Sequence, residues 1–244
     1  MLKVQLAIVL AAAVGDSGHV DAVDPAPPNY GGPINVGTSR RNLKASILGE
    51  RITFHNCDAE EYLASFSGTP YNYVVFYQSL WFFDDEAQIE RILHILKDGN
   101  GRFATKLLIA EWALQASSKE AWPHVLATLS IANLKMKVME DGTNVCSPVS
   151  PEWFRRFFTR EMMEVVEEKL ITPPKESREG MWEVGVVLKE RYAERIRAAY
   201  KDDQRARLAA DTMRESAVAA YAQIGGDLEN VGTMDIWTGV IRLA

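Results

Sequence analysis

The sequence predicts an α/β protein, a largely parallel sheet with helices on both faces. Through residue 136, short β-branched or aromatic runs alternate with longer stretches whose apolar residues recur at helical spacing, the rhythm of successive β-α-β units. Runs such as YNYVVFYQSLWFF (71–83) are apolar almost throughout, as strands buried on both faces are. At 244 residues the chain can bury one sizeable core, and no stretch reads as a linker that cuts it into two full domains.

The first element has two readings. Lys3, the apolar run 4–14 and the small residues 11–13 have the form of a secretory leader ending near Gly15. The same run also reads as a buried helix capped by Gly15 and followed by the strand HVDAV (19–23). The helical reading joins these residues to everything downstream and is preferred, which implies a cytoplasmic protein.

The strand halts at Asp24-Pro25, because proline cannot continue a central strand. A Pro/Gly-rich loop leads to a helix over 37–48, a strand at RITFHN (51–56) and a short helix in CDAEEYLASF (57–66), whose early acids complement the helix dipole. The aromatic strand from 71 precedes an amphipathic helix over 84–98, the strand TKLLIAEW (105–112) and a helix over 118–136. Then the rhythm changes. EWFRRFFTREM (152–162) reads as a helix, whereas MEVVEEKLITP (163–173) and MWEVGVVLKE (181–190) read as two strands of an antiparallel hairpin. A long charged helix over 192–224 leads through Gly225-Gly226 to VGTMDIWTGVIRL (231–243), whose structure the pattern leaves open.

Composition narrows the function classes. Apolar residues at 47% and charged residues at 25% are ordinary for a globular protein, and a formal charge of −6 gives no broad footprint for nucleic acid or an anionic membrane. Small molecules or proteins, a second copy included, are the favoured partners. Two cysteines, Cys57 and Cys146, make no disulfide framework and, with scattered histidines, lack the spacing of a zinc site. Neither a GxSxG elbow nor a GxxxxGK[ST] phosphate loop is present.

Taken in order, VLAAAVGDSGHVDAVDP (9–25), ITFHNCDAEEYL (52–63), YNYVVFYQSLWFF (71–83), LLIAEWAL (107–114) and MWEVGVVL (181–188), with TMDIW (233–237) as a weaker echo, resemble the class I S-adenosylmethionine-dependent methyltransferases. The likeness is nearest to fungal small-molecule methyltransferase-like proteins. It implies a Rossmann-like α/β sheet ending in an antiparallel hairpin over residues 1–191, a C-terminal helical extension over 192–244 packed on it, and methyl transfer to an acceptor of secondary-metabolite type.

The resemblance also nominates residues. Asp24 takes the place of the acid that accepts the cofactor's ribose hydroxyls, a task suited to a carboxylate's acceptor sites. On its own, an Asp before proline reads as a turn residue. Cys57, Asp58 and Ala59 correspond to the adenine-binding corner, although Asp58 serves equally as a helix N-cap. Tyr77, Gln78 and Ser79 would border the cofactor, and Trp81, Phe82 and Trp112 the acceptor, because ligands bind beyond the carboxyl ends of strands in open sheets. His55 and Glu111 are the candidates for a general base, with Glu111 alternatively paired to an arginine. His19, His94 and His124 read as surface or packing residues.

One departure stands out. The family normally begins with a strand ending in a GxGxG-type loop, whose glycines allow the backbone to lie against the cofactor. Here the sequence starts inside the helix that should follow, and only GDSG separates that run from HVDAV, too short for a parallel crossover. The predicted sheet therefore lacks the strand between its second and fourth members. The expected cofactor is S-adenosylmethionine; the competing expectation is a methyltransferase-like protein that has lost it and acts as a binding or partner protein.

Overall fold

The computed structural model describes residues 2–138 and 145–244. They form two compact units, one of Met1–Asn72 with Arg91–Thr105 and one of Tyr73–Glu90 with Lys106–Ala244.

The first unit starts with α1 (Leu2–Ala13), an unbroken run without glycine or proline, after which Gly15 adopts φ +73, a conformation glycine reaches without steric cost. Strands β1 (Val20–Val23) and β2 (Ile52–His55) pair in parallel from Val20 opposite Ile52 to Val23 opposite His55. Between them lies α2 (Val36–Lys44), whose N-cap Asn35 accepts the Thr38 N–H at 2.8 Å. Ala7 and Ala11 of α1, Leu43 of α2 and Ile52 of β2 form a buried cluster flanked by Val20, Ala22, Leu48 and Phe54. The run is helical, but it is not the buried helix expected: Ala7 and Ala11 pack on the strands that follow, whereas Ile8, Val9 and Val14 are exposed. Helix α3 (Ala59–Ser65) completes this sequence of elements.

Three further elements, β3 (Tyr71–Tyr77), α4 (Glu86–Asp98) and β4 (Ala104–Trp112), are divided between the two units. Within the first, Tyr71 N–H donates to Phe103 O at 2.8 Å, and the Phe66 ring packs on those of Tyr71 and Phe103.

The second unit adds α5 (Trp122–Lys135), α6 (Pro151–Arg160), β5 (Val165–Ile171), α7 (Gly180–Val187), α8 (Glu190–Ala199), α9 (Gln204–Gln223) and β6 (Ile236–Arg242). Its sheet has the order β3-β4-β6-β5, with β6 antiparallel to both neighbours. Phe154 of α6 stacks on Trp237 of β6 at 5.1 Å between ring centroids. Helix α5 buries Val125, Ala127, Ile131 and Leu134 and packs against α7 and α9, with Tyr200 OH donating to Asn133 O at 2.8 Å.

The α/β class and the antiparallel pair near its end are present, but the second strand of that pair is not the expected one. Residues 181–187 are helical, within α7, and β5 pairs instead with β6. A short continuous apolar run does not distinguish helix from buried strand, and here Val184 and Val187 share one buried helical face. The long helix expected over 192–224 is broken: α8 closes at Tyr200, and Asp203 caps α9 by accepting the Ala206 N–H at 2.9 Å. Residues 192–244 therefore include β6, a member of the sheet, as well as helix. Strand β3 is not buried on both faces, since Asn72 and Tyr73 are exposed and it lies at one edge of its sheet. Neither sheet holds a strand joining β1-β2 to β3-β4-β6-β5 among the described residues.

Replacing Ile52 by alanine is expected to lower the unfolding free energy by about 2–5 kcal/mol, the cost of emptying a fully buried aliphatic site. Urea titration followed by circular dichroism checks it, and an unchanged midpoint would show that the α1-α2-β2 cluster does not support the fold.

Candidate functional site

Because β1 and β2 are adjacent and parallel, the residues after them lie at the same end of their sheet. Asp24 N–H donates to His55 O at 3.1 Å, and Asn56 Nδ2 donates to the carbonyls of Asp24 and Ala26 at 3.2 and 3.3 Å. The two strand ends are thereby tied together. The Asp24 side chain is buried: Oδ1 accepts the Ala26 N–H at 3.0 Å, and Arg40 Nη2 lies 3.8 Å from Oδ2 while donating to Asp24 O at 3.2 Å. A nearby guanidinium offsets the cost of a buried carboxylate, which otherwise is severe. Asp24 is thus both a turn residue and a charge-compensated acid at a strand end.

Asp58 caps α3 through Oδ1, which accepts the Glu61 N–H at 2.7 Å, and Ala59 is the first residue of that helix. The Cys57 thiol is pushed up by burial and, less, by Glu61 and Asp58, so it stays protonated near neutrality and serves as a weakly polar neighbour rather than a nucleophile. His55 belongs to a network that sequence reasoning missed. Its Nε2 lies 2.7 Å from Asp21 Oδ1, Tyr71 OH donates to Asp21 Oδ2 at 2.7 Å, and the hydroxyls of Tyr71 and Tyr62 are 2.6 Å apart. Burial, then the bonds to Tyr62 and Asp21, push the Tyr71 phenol far above its usual range. The signal was an acid inside the alternating strand VDAV.

In the second unit, Gln78 follows β3 with φ +46, its N–H donating to Ala110 O at 2.7 Å. Its side chain is buried, and Oε1 has no hydrogen-bond partner among the described residues. Tyr77 is half-buried, and burial, then Glu179 and Glu111, raise its phenol. Ser79 opens a 3-10 turn over Leu80–Phe82. Trp81 is buried and donates from Nε1 to Val149 O at 3.0 Å, whereas Phe82 is 37% exposed.

Glu111, at the end of β4, is 1% exposed and pairs with no arginine among the described residues. Its Oε2 accepts the Leu80 N–H and its Oε1 the Trp112 N–H, both at 3.1 Å. Burial raises it to about 7, with the amides of Trp112, Leu80, Trp81 and Ser79 pulling the other way. The carboxyl therefore fixes the turn after β3 and can gain or lose a proton near neutral pH.

His124 is a packing residue, as its surroundings in the sequence suggest. Its Nδ1 accepts the Met234 N–H at 3.0 Å, which places the ring proton on Nε2, 3.6 Å from Glu183 Oε2. Burial lowers it to about 3, so the ring is neutral and this is no ion pair at neutral pH. The half-buried Trp112 meets it edge-on at 5.3 Å. Burial also raises Glu183 to about 7. A cleft of about 530 Å³ opens elsewhere in this unit, between Gln115, Ser150, Arg155, Lys169 and Trp237, and none of the nominated residues lines it.

No protein-family model matches the chain. Two proteins of Diaporthe leptostromiformis, methyltransferase phomM' and methyltransferase phomM, are each 26% identical to it over 136 residues, which is 50% of this chain and 34% of theirs. The match thus spans about a third of those relatives. Among solved structures, a cyclopropane-fatty-acyl-phospholipid synthase-like protein from Lactobacillus casei superposes with a TM-score of 0.77 at 23% identity, covering 97% of this chain and 80% of that one. The chain is thus similar in part of its sequence to two methyltransferases and shares its fold with the synthase-like protein. No helix among the described residues is long and apolar enough to cross a membrane.

Glu111 holds its proton above the ordinary value of 4.5, so the native state binds more protons than the unfolded chain between about pH 4.5 and 7. Its contribution to stability is expected to fall over that window by about 3 kcal/mol, and Glu111→Gln to flatten the profile by that share. Denaturant titrations from pH 4.5 to 8 test this, and a variant with an unaltered slope would contradict it. In nitrogen-15 NMR, the His124 ring is expected to stay neutral, with one protonated and one unprotonated nitrogen, from pH 5 to 8.

Proposed function

We propose that this chain binds S-adenosylmethionine and supports transfer of its methyl group to a small-molecule acceptor of secondary-metabolite type, in the cytoplasm. The observation that supports this most directly is the pair of acids following adjacent parallel strands, Asp24 after β1 and Asp58 after β2, bound into one corner by Asn56. Carboxylates there suit vicinal hydroxyls and an exocyclic amine, both donors. The residues fit the group: Asp24 is buried with its charge offset by Arg40, and Cys57 and Ala59 supply weakly polar and apolar contact for a flat base.

When bound, the sulfonium supplies an electrophilic methyl group, and the protein's share of the work is chiefly orientation. Asp24 would accept from the ribose and Asp58 from the adenine, each through a carboxylate whose other contact is local. In the second unit, the buried Gln78 Oε1 offers an acceptor for a donor group, and Tyr77 and Ser79 flank it in sequence. Trp81 is better placed to support the turn than to touch an acceptor, because its ring is buried and its Nε1 engaged. Phe82 and Trp112 are the aromatic candidates for the acceptor. Of the two base candidates, Glu111 can exchange a proton near neutrality, and His55 is oriented by Asp21.

Calorimetric titration with S-adenosylhomocysteine tests the reading. Saturable binding is expected, weakened at least tenfold in Asp24→Ala. A folded protein that shows no heat of binding would overturn it and leave the non-methylating binding or partner role.

A further inference from the structure

We propose that β5 is a pairing edge for a second copy of this chain, joined antiparallel about a two-fold axis at Glu168. The inference is independent of the cofactor. β5 ends the sheet order β3-β4-β6-β5, so one side of its backbone has no strand beside it. All seven of its residues are exposed, among them Val165, Val166, Leu170 and Ile171, at 36–48%. An exposed edge is a template for another strand, and the central charges of β5 and its bulge defend it against any partner that does not match them.

The charges on this edge are arranged for a partner of the same sequence. With the axis at Glu168, Glu167 faces Lys169 of the second copy, and Lys169 faces its Glu167. Leu170 and Ile171 flank this charged crossing on each copy, while Val166, the extra residue of the bulge between Val165 and Glu167, falls outside the regular register. Opposite charges and apolar groups placed directly across an antiparallel pair are the contacts that stabilise sheets. A two-fold contact requires this self-complementarity, in which residue i meets j and j meets i.

The remaining obstacle is Glu168 opposite its own copy, and the fold supplies the remedy. Within its protomer Glu168 accepts from Arg155 Nε at 2.8 Å and from Trp237 Nε1 at 2.6 Å, and the Arg155 guanidinium holds its carboxyl below the usual range. The charge at the axis is thus compensated before the copies meet. Alone in the protomer, Glu167 and Lys169 pair with each other, two positions apart on one face. Dimerisation exchanges that exposed contact for two across the axis. The bulge between Val165 and Glu167 ends the regular segment, which limits the contact to a short pairing and favours a dimer that forms and dissociates readily.

Sedimentation equilibrium over a hundredfold range of protein concentration is the test, with circular dichroism to confirm that each variant is folded. The wild-type chain is expected to move from monomer toward dimer as concentration rises. Lys169→Glu, which sets like charges across the axis, is expected to weaken dimerisation at least tenfold. The double variant Glu167→Lys/Lys169→Glu restores opposite charges at both crossings and is expected to regain the wild-type behaviour. A wild-type chain that stays monomeric throughout, a single variant that dimerises as well as wild type, or a double variant as weak as the single one would each overturn the proposal.

Discussion

The backbone pairing of β6, with β4 on one side and β5 on the other, is the constraint on which the second unit rests. Residues near the end of the sequence are inserted between two strands formed much earlier, from Lys106 opposite Arg242 to Trp112 opposite Ile236. The approach to that strand is fixed by a buried acid: Asp235 accepts from Ser117 Oγ at 2.7 Å and exchanges backbone bonds with Ala113 and Gln115. One residue earlier, Met234 N–H is held by His124. Inside the strand, a side chain at Gly239 would meet the Trp237 ring at 2.7 Å, so the glycine makes room for the indole that stacks on Phe154. Sheet order, helix packing and the position of Glu111 all follow from this insertion.

Buried acids organise the turns beyond the strands, each through a different compensation. Asp24 has a guanidinium nearby, Glu111 has backbone amides, and Asp235 has a hydroxyl and an amide side chain. These choices set what each group can do. Neutral donors in a dry setting leave the Glu111 carboxyl poised between protonation states near neutral pH.

Much of this was legible in the sequence, and the exceptions have physical causes. The strands ending at Val23 and His55 and the helices beginning at Ala59 and Glu86 announce themselves through β-branched runs, caps and spacing, whereas the aromatic run 71–83 is a strand only to Tyr77 and then turns into a 3-10 helix over Leu80–Phe82. Segment 181–187 does not: its continuous valines and methionine satisfy either a strand or a buried helix, and only the packing of α7 against α5 decides. Strand β6 was equally hidden, because pairing with partners more than 120 residues away in sequence in β4 leaves no local trace. At the site, the acids after β1 and β2 were readable from their positions, whereas Glu111's bonding to the amides of Leu80 and Trp112 was not. An arginine partner was one of two readings of Glu111, and the turn after β3 brought main-chain donors instead. The link from Asp21 to His55, Tyr71 and Tyr62 depends on strand register and on a tyrosine fifty positions away.

The corner formed after β1 and β2 is the proposed nucleoside site. Backbone amide NMR during titration with S-adenosylhomocysteine addresses it most directly, because it reports where the ligand sits as well as whether it binds. The largest saturable shifts are expected on Asp24, Cys57 and Asp58. Saturable shifts that leave those three amides unmoved would contradict it.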